Sequence, residues 1–512
     1  MSVLSKFSKV KLVNNFSKIY LSTIILIYLI YSFKVSEYIT LFIDEKLIID
    51  DIYNIWLLDD QFNTFSGVDN YYFKNFLIFI KEFSYGGDLR YGRLWSNYFT
   101  IIVGVFSLVD DQVLIIASRV LNILTYLLAN FVLVKALVPK KYFWLCLLSL
   151  YSTPGVEMLN RLPKPEALSL LFISFGFLYI NKAHYYKSIF FFGLATFIKV
   201  NSAVLFVLIV IYFFFITDEK KWKVGIKVFL TGISSLILVN PILIIPPITI
   251  GSVKLPNFYK AYLGWINTQS SNGNSIVFSF QNMISWGESL NTFYLLKTNN
   301  QIFIILSFIC FAVLFLKIIK SKNQIDAVML AVVFCYFFFY LFYIERQFMW
   351  YLSLPFSLLI ILLFRNLRGN LNFKKIFLFS FIVINLIGGA SNSHIFIEQK
   401  KFRANISYGY QGIDNTLIIE KHIQEVIKII ENIYENNNQL DKNIVYWHPN
   451  LFMPRNHVSY DSFFYVREYW GNKDSPIYAL EESDIFVTYT EYLNTENVSI
   501  YQFENIYIYV ND

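Results

Sequence analysis

Carboxylates and cations set beside long apolar runs are the residues of this chain with the most chemistry to offer. Asp44-Glu45 and Asp50-Asp51 follow the first apolar run, and Arg93, Arg161, Lys164, Lys199 and Arg346 each begin or end a later one. A charge at a bilayer is costly unless it pairs, hydrates or serves a function. There a carboxylate can take a proton from a hydroxyl nucleophile while cations hold a phosphate leaving group, which is general-base catalysis with charge-stabilised departure. Arginine suits phosphate through its planar fork of donors, whereas lysine acts as a point charge. Asp44, Glu45 and Asp51 are therefore the candidate catalytic acids, and Asp50-Asp51 competes with Asp44 as the base.

These residues need elements that carry them to one side of a membrane, and the composition supplies them. Of 512 residues, 56% are hydrophobic, 19% aromatic and 15% charged, with mean hydropathy +0.48, far outside the soluble range. Apolar runs near the roughly 20 residues that cross a bilayer lie at 16–33, 113–134, 224–245, 302–316, 327–344, 349–364 and 376–390. Shorter runs lie at 142–151, 167–180 and 189–215. No small-residue cleavage site follows the first run, so it reads as a retained span.

Lysine and arginine cluster at 6–18, 135–141, 182–187, 220–227, 317–322 and 365–375. Positively charged short loops stay cytoplasmic. All six clusters share that side if 98–109 only dips into the interface and 189–215 is two short helices broken near Lys199 and Asn201. The expected fold is mainly α: a polytopic helical bundle of about eleven spans with interfacial helices, amino terminus cytoplasmic and carboxyl terminus extracytoplasmic. Asp44, Glu45, Asp50, Asp51, Arg90, Arg93, Glu157, Arg161, Lys164, Glu166, Lys199, Glu288, Glu345 and Arg346 then come out on the external face or just beneath it. A polar extracytoplasmic cavity accounts for that grouping. The blander account is that external loops carry charges anyway: Asp44-Glu45 beside Lys46, Arg161 to Glu166 as a proline-stiffened turn, Lys199 snorkelling from a helix end, Arg346 paired with Glu345.

Aromatic segments around Tyr71-Tyr72-Phe73 and Phe76 to Phe83 suit helices lying in the interface. The loop 246–300 is long enough to cover a cavity or bind an acceptor. Beyond residue 391 hydropathy falls. There 417–433 has helical spacing and 444–447, 484–489 and 501–510 read as strands, giving a small extracytoplasmic α/β domain over 392–512 after a transmembrane domain over 1–391. Arg119, inside an apolar run, calls for a partner such as Asp110 or Asp111. Cys146, Cys310 and Cys335 lie in apolar runs without ligand spacing, and His394, His422, His448 and His457 form no metal pattern, so neither disulfide, metal nor cofactor is expected. The net charge of +7 sits mostly in the cytoplasmic clusters and argues for topology, with no nucleic acid as partner.

In the phrases FIDEKLIIDDIYNIW, YGRLWSNYF, SRVLNILTYLL, NRLPKPEALSLLF, FIKVNSAVLF and ERQFMWYLSLPFSLLIILL, in that order over 44–364, the chain resembles the type C superfamily of polytopic glycosyltransferases. That superfamily includes protein O-mannosyltransferases, lipid A aminoarabinose transferases and O-antigen glucosyltransferases. The resemblance implies transfer of a sugar from a polyprenyl-phosphate donor to a cell-envelope glycan, with inversion, on the non-cytoplasmic face of a bacterial inner membrane. It makes Asp44 the base and Arg93, Lys199 and Arg346 candidates for the donor phosphate. The phrase around Arg93 lacks the lysine and paired prolines of several members, and some related families carry Asp-Asp where Asp44-Glu45 stands. Two other functions remain open: an O-antigen polymerase or ligase, expected to concentrate its charges in a late external loop, and a flippase or transporter, expected to place them at mid-membrane on broken helices.

Overall fold

The computed structural model describes residues 15–27, 29–30, 43–56, 70–85, 93–109, 111–153, 156, 159, 163–199, 202–240, 249–250, 253–254, 278–284, 309, 311–318, 323–343, 349–366, 382–383, 386, 428–430, 432–433, 444–446, 485–488, 498–503 and 506–511. Helix accounts for 88% of them, so the protein is mainly α. The helices used below are α1 (Asn15–Ile27), α2 (Ile43–Trp56), α3 (Tyr71–Tyr85), α4 (Arg93–Val103), α5 (Asp111–Leu137), α6 (Phe143–Leu150), α7 (Pro165–Asn181), α8 (Tyr185–Ile198), α9 (Ala203–Ile216), α10 (Lys221–Val239), α11 (Gln324–Tyr343) and α12 (Ser353–Asn366). Among the described residues three segments are long and apolar enough to cross a membrane: Val113–Leu137, Lys221–Val239 and Gln324–Tyr343.

Contacts between helix ends give the bundle two distinct ends. At one, Asn181 closing α7 donates to the carbonyl of Ala136 in α5, and Arg365 of α12 donates to the carbonyl of Leu137 at 2.8 Å and pairs with Asp326 of α11 at 2.5 Å. The Lys317 ammonium donates to the carbonyl of Asn366. Tyr186 of α8 and Lys227 of α10 meet on Glu219, at 3.3 and 2.6 Å, and Lys18 of α1 lies 5.5 Å from the Trp144 ring of α6. This basic end thus gathers residues from all six Lys/Arg clusters, drawn from chain positions more than three hundred residues apart.

The run 189–215 is indeed broken. α8 stops at Ile198, α9 starts at Ala203, and Tyr185 and Tyr186 pack on Phe213, so the two lie side by side as a helical hairpin. Each has 14 residues, about 21 Å at 1.5 Å per residue. Their neighbours approach closely through small residues, as helices in lipid do. A Cβ on Gly176 would meet the Phe192 ring at 2.7 Å, and one on Gly193 would meet the Ser235 hydroxyl at 2.6 Å.

Outward faces are apolar. Trp222, Ile226, Phe229, Leu230 and Leu238 of α10 and Val207, Ile211 and Phe215 of α9 are exposed. Apolar surface of that extent needs lipid or protein against it. α3 turns Tyr71, Tyr72, Phe73, Phe76 and Phe79 outward while burying Leu77 and Ile78, the pattern of a helix lying along an interface. Residues 98–109 end α4 and form a short 3-10 turn, Gly104–Leu108, too short to cross.

Strands β1 (Thr249–Ile250) and β2 (Val253–Lys254) form a small hairpin inside the loop 246–300. Beyond it β3 (Ile444–Tyr446), β4 (Ile485–Thr488), β5 (Val498–Phe503) and β6 (Ile506–Asn511) make one mixed sheet of order β3-β4-β6-β5, with β3 and β4 parallel. The single strand expected over 501–510 is two: Phe503 pairs with Ile506 and Val498 with Asn511, an antiparallel hairpin. Of the helix expected over 417–433, residues 428–430 and 432–433 are described, and they are helical.

Candidate functional site

The far end of the bundle, opposite the basic one, carries the acids and cations singled out above. α2 holds four of the acids. Asp44 and Glu45 stand in its first turn rather than in a loop, and Asp51 follows Asp44 by seven residues, two turns along the same stripe. The side chains of Asp44, Glu45 and Asp50 lie outside the described residues.

Asp51 is buried and paired with Arg93, the first residue of α4. The Ser96 hydroxyl, one turn on, donates to the same carboxylate oxygen at 2.5 Å. Arg93 ties further elements together. Its Nε donates to the Phe83 carbonyl of α3 at 3.2 Å, and its backbone N–H donates to the Asn240 side-chain oxygen at the end of α10 at 3.3 Å. Asn97 reaches the same Phe83 carbonyl at 3.1 Å, and Trp56 at the end of α2 donates to the Thr100 carbonyl at 3.0 Å. A cation at a helix N-terminus is disfavoured by the helix dipole, and the Asp51 carboxylate offsets that. Two residues nominated separately, one as an acid and one as a phosphate ligand, thus hold each other and fix α2 against α3, α4 and α10.

The second pair is Glu166 and Lys199, 3.0 Å apart with each side chain 10% exposed. Both suit their helix ends. Pro165 opens α7 with its fixed φ and Glu166 occupies the first turn, where the dipole favours an anion; Lys199 caps the C-terminus of α8, where it favours a cation. The Lys199 ammonium lies 5.3 Å from the centre of the Tyr351 ring, a cation–π contact. Around the pair is a cavity of 30 Å³ whose walls include Ser169, Ser202, Tyr336, Tyr340 and Tyr351. Ser169 bonds the Ala195 carbonyl at 3.1 Å and the Ser202 hydroxyl at 2.9 Å, and Ser202 also meets Tyr336. Glu166 Oε2 is buried with no hydrogen-bond partner among the described residues.

Lys164, the N-cap of α7, is buried, and its N–H donates to Asn122 of α5 at 3.3 Å while the Asn122 amide donates to the Leu159 carbonyl. Arg119 is buried one turn before Asn122; its expected partners Asp110 and Asp111 have side chains outside the described residues. Arg161, Arg346, Glu345, Glu157 and Glu288 are likewise outside them. Among the described residues no group of three or more His, Cys, Asp or Glu could hold a metal ion.

Sequence reasoning did not single out Ser96, the tyrosines, or the Asp326–Arg365 pair of the basic end. For the tyrosines a signal was present: Tyr336 and Tyr340 stand four apart, on one face of α11. Asp326 is preceded by Asn323, whose side chain accepts its N–H at 3.2 Å, a helix-start pattern legible in the sequence. No protein-family model matches the chain. No curated protein and no solved structure matches it either.

Proposed function

We propose that the protein is a polytopic membrane glycosyltransferase of the type C kind, moving a sugar from a polyprenyl-phosphate donor to a cell-envelope glycan. The supporting observation is the gathering of two buried acid–cation pairs, Asp51–Arg93 and Glu166–Lys199, at the end of the bundle away from the Lys/Arg clusters. With positive loops cytoplasmic, that end is extracytoplasmic, the span number is about eleven, and the sheet after residue 391 belongs to an external domain. A bacterial inner membrane is the setting the resemblance favours.

In the reaction the acceptor hydroxyl oxygen attacks the anomeric carbon from the face opposite the phosphate. The bond from that carbon to the phosphate oxygen breaks, its electron pair leaves with the polyprenyl phosphate, and the configuration inverts. Asp44 takes the hydroxyl proton. It is preferred to Asp51 because the Asp51 carboxylate is already held by a guanidinium and a hydroxyl on one oxygen. The Asp51–Arg93 pair acts on α2, two turns downstream of Asp44, and keeps that helix in place. Lys164, Arg161 and Arg346 are the cations assigned to the donor phosphate, because the Lys199 ammonium is engaged by the Glu166 carboxylate. No cofactor or metal enters the scheme.

The transporter alternative calls for charges on a discontinuous span. α8 and α9 lie side by side as a hairpin, with Lys199 and Ser202 at its tip, which favours the transferase. The test is transfer of labelled sugar from a polyprenyl-phosphate pool to envelope glycan in membranes containing the wild type, Asp44→Asn or Asp51→Asn at matched amounts. Transfer by the wild type and its loss by about a hundredfold or more in Asp44→Asn is the expected result. Full activity in Asp44→Asn removes it as the base, and absence of wild-type transfer from every donor removes the transferase.

A further inference from the structure

We propose that the cavity at Glu166 and Lys199 is a receptor for a single hydroxyl group of a pyranose, with Glu166 Oε2 as the acceptor that reads it. The proposal rests on the transferase reading and names a specificity-determining site within it.

Charge, size and the state of the walls point the same way. Glu166 and Lys199 neutralise each other at 3.0 Å, so the charges among the described walls of the cavity cancel and give it no pull on an anion. A phosphate oxygen brought to Oε2 would set two anionic oxygens against each other in a site shielded from water, where repulsion is strong. A hydroxyl hydrogen brought to the same atom completes it. The volume of 30 Å³ holds one water molecule or one hydroxyl group. A whole sugar ring does not fit, so the ring stays at the mouth and one hydroxyl-bearing arm enters.

The serine walls are occupied with each other. Ser169 is engaged with Ala195 and Ser202, and Ser202 with Tyr336. Neither Glu166 oxygen has a hydrogen bond among the described residues; Oε1 faces the Lys199 ammonium at 3.0 Å, which leaves Oε2 as the buried acceptor open to a ligand. A site built to bond a hydroxyl discriminates strongly against a ligand lacking it, because its own polar group is then left unpaired.

The test uses the full chain in lipid nanodiscs. Probes are farnesyl-phosphate-linked glucose, galactose and mannose with their single-deoxy forms, the matching methyl glycosides, and farnesyl phosphate alone, each measured for affinity. The expected result is that one parent sugar binds and that removing one particular hydroxyl weakens it about tenfold or more, while removing the others does not. Discrimination is expected to vanish in Glu166→Leu/Lys199→Met, a double variant that leaves no lone buried charge and so keeps the fold. Discrimination among the farnesyl-linked sugars assigns the cavity to the donor; discrimination among the methyl glycosides assigns it to the acceptor. The proposal is overturned if every deoxy form binds like its parent, if the double variant still discriminates, if farnesyl phosphate alone binds as well as its sugars, or if no probe binds, in which case the cavity holds a water only. A sugar that binds with Glu166-dependent discrimination yet is not transferred in membranes leaves the receptor standing and removes the transferase.

Discussion

The two ends of the bundle spend their ion pairs differently. At the basic end one pair is exposed, and the buried carboxylate of the other is shared between two donors. Glu219 and Lys227 are 40% and 49% exposed, and Asp326 is shared between Arg365 and Asn366 while the same arginine donates to Leu137. At the far end the pairs are buried, and Glu166 Oε2 has no hydrogen-bond partner among the described residues. The basic end looks like fastening: it ties the ends of α5, α11 and α12. A buried oxygen left open at the far end is instead a place for something else to bind, because native structures seldom leave such a group unsatisfied without a reason.

That contrast can be broken most directly at Asp51 and Arg93. Arg93→Ala or Asp51→Ala alone takes the facing charge of this ion pair away from a buried partner, and is expected to lower unfolding free energy in detergent micelles by about 3–5 kcal/mol. Asp51→Leu/Arg93→Met, which removes both charges, is expected to recover most of that loss. If it does not, the pair contributes more than mutual compensation. Next comes Arg365→Ala, which opens a less buried pair and costs about 1.5–3 kcal/mol by the same measurement, with transfer per folded molecule unchanged. Gly193→Leu forces α8 away from Ser235 and is expected to cost about 1–3 kcal/mol. The smallest effect belongs to Glu219 and Lys227. The hydrogen bond from Lys227 holds the Glu219 carboxyl below its ordinary range. Its contribution is therefore present above the ordinary carboxylate value and lost as pH falls through the lowered one. Exposed as it is, Glu219→Gln should leave the melting temperature unchanged at neutral pH in 0.15 M salt, where the Debye length is about 8 Å and a solvent-exposed pair contributes little.

Much of this arrangement was legible in the residues, and the part that was not has a physical reason. Lysine clusters foretold which helix ends would meet, since Lys18, Lys187, Lys227, Lys317 and Arg365 do come together around one end. The break between α8 and α9 was foreseen because fusing 189–215 into one helix would have sent Lys220 to Lys223 to the wrong side. The partners of charges were not foreseen. Asp51 and Arg93 are 42 residues apart and Glu166 and Lys199 are 33 apart, and nothing local to either residue records a contact made by helix packing. Arg93 was nominated as a phosphate ligand for its type and its place at the start of a helix; that the Asp51 carboxylate meets it there is a contact no local pattern records. The β5–β6 hairpin was merged into one strand because its two arms are separated by only Glu504 and Asn505, inside a run otherwise rich in tyrosine and isoleucine.

The central claim is that chemistry belongs to the far end and fastening to the basic end. Labelled-sugar transfer, normalised to folded protein in membranes, should be measured side by side for Asp44→Asn and Asp326→Asn. The account predicts transfer lost by about a hundredfold in Asp44→Asn and retained per folded molecule in Asp326→Asn. Equal loss in both, or loss in Asp326→Asn alone, would contradict it.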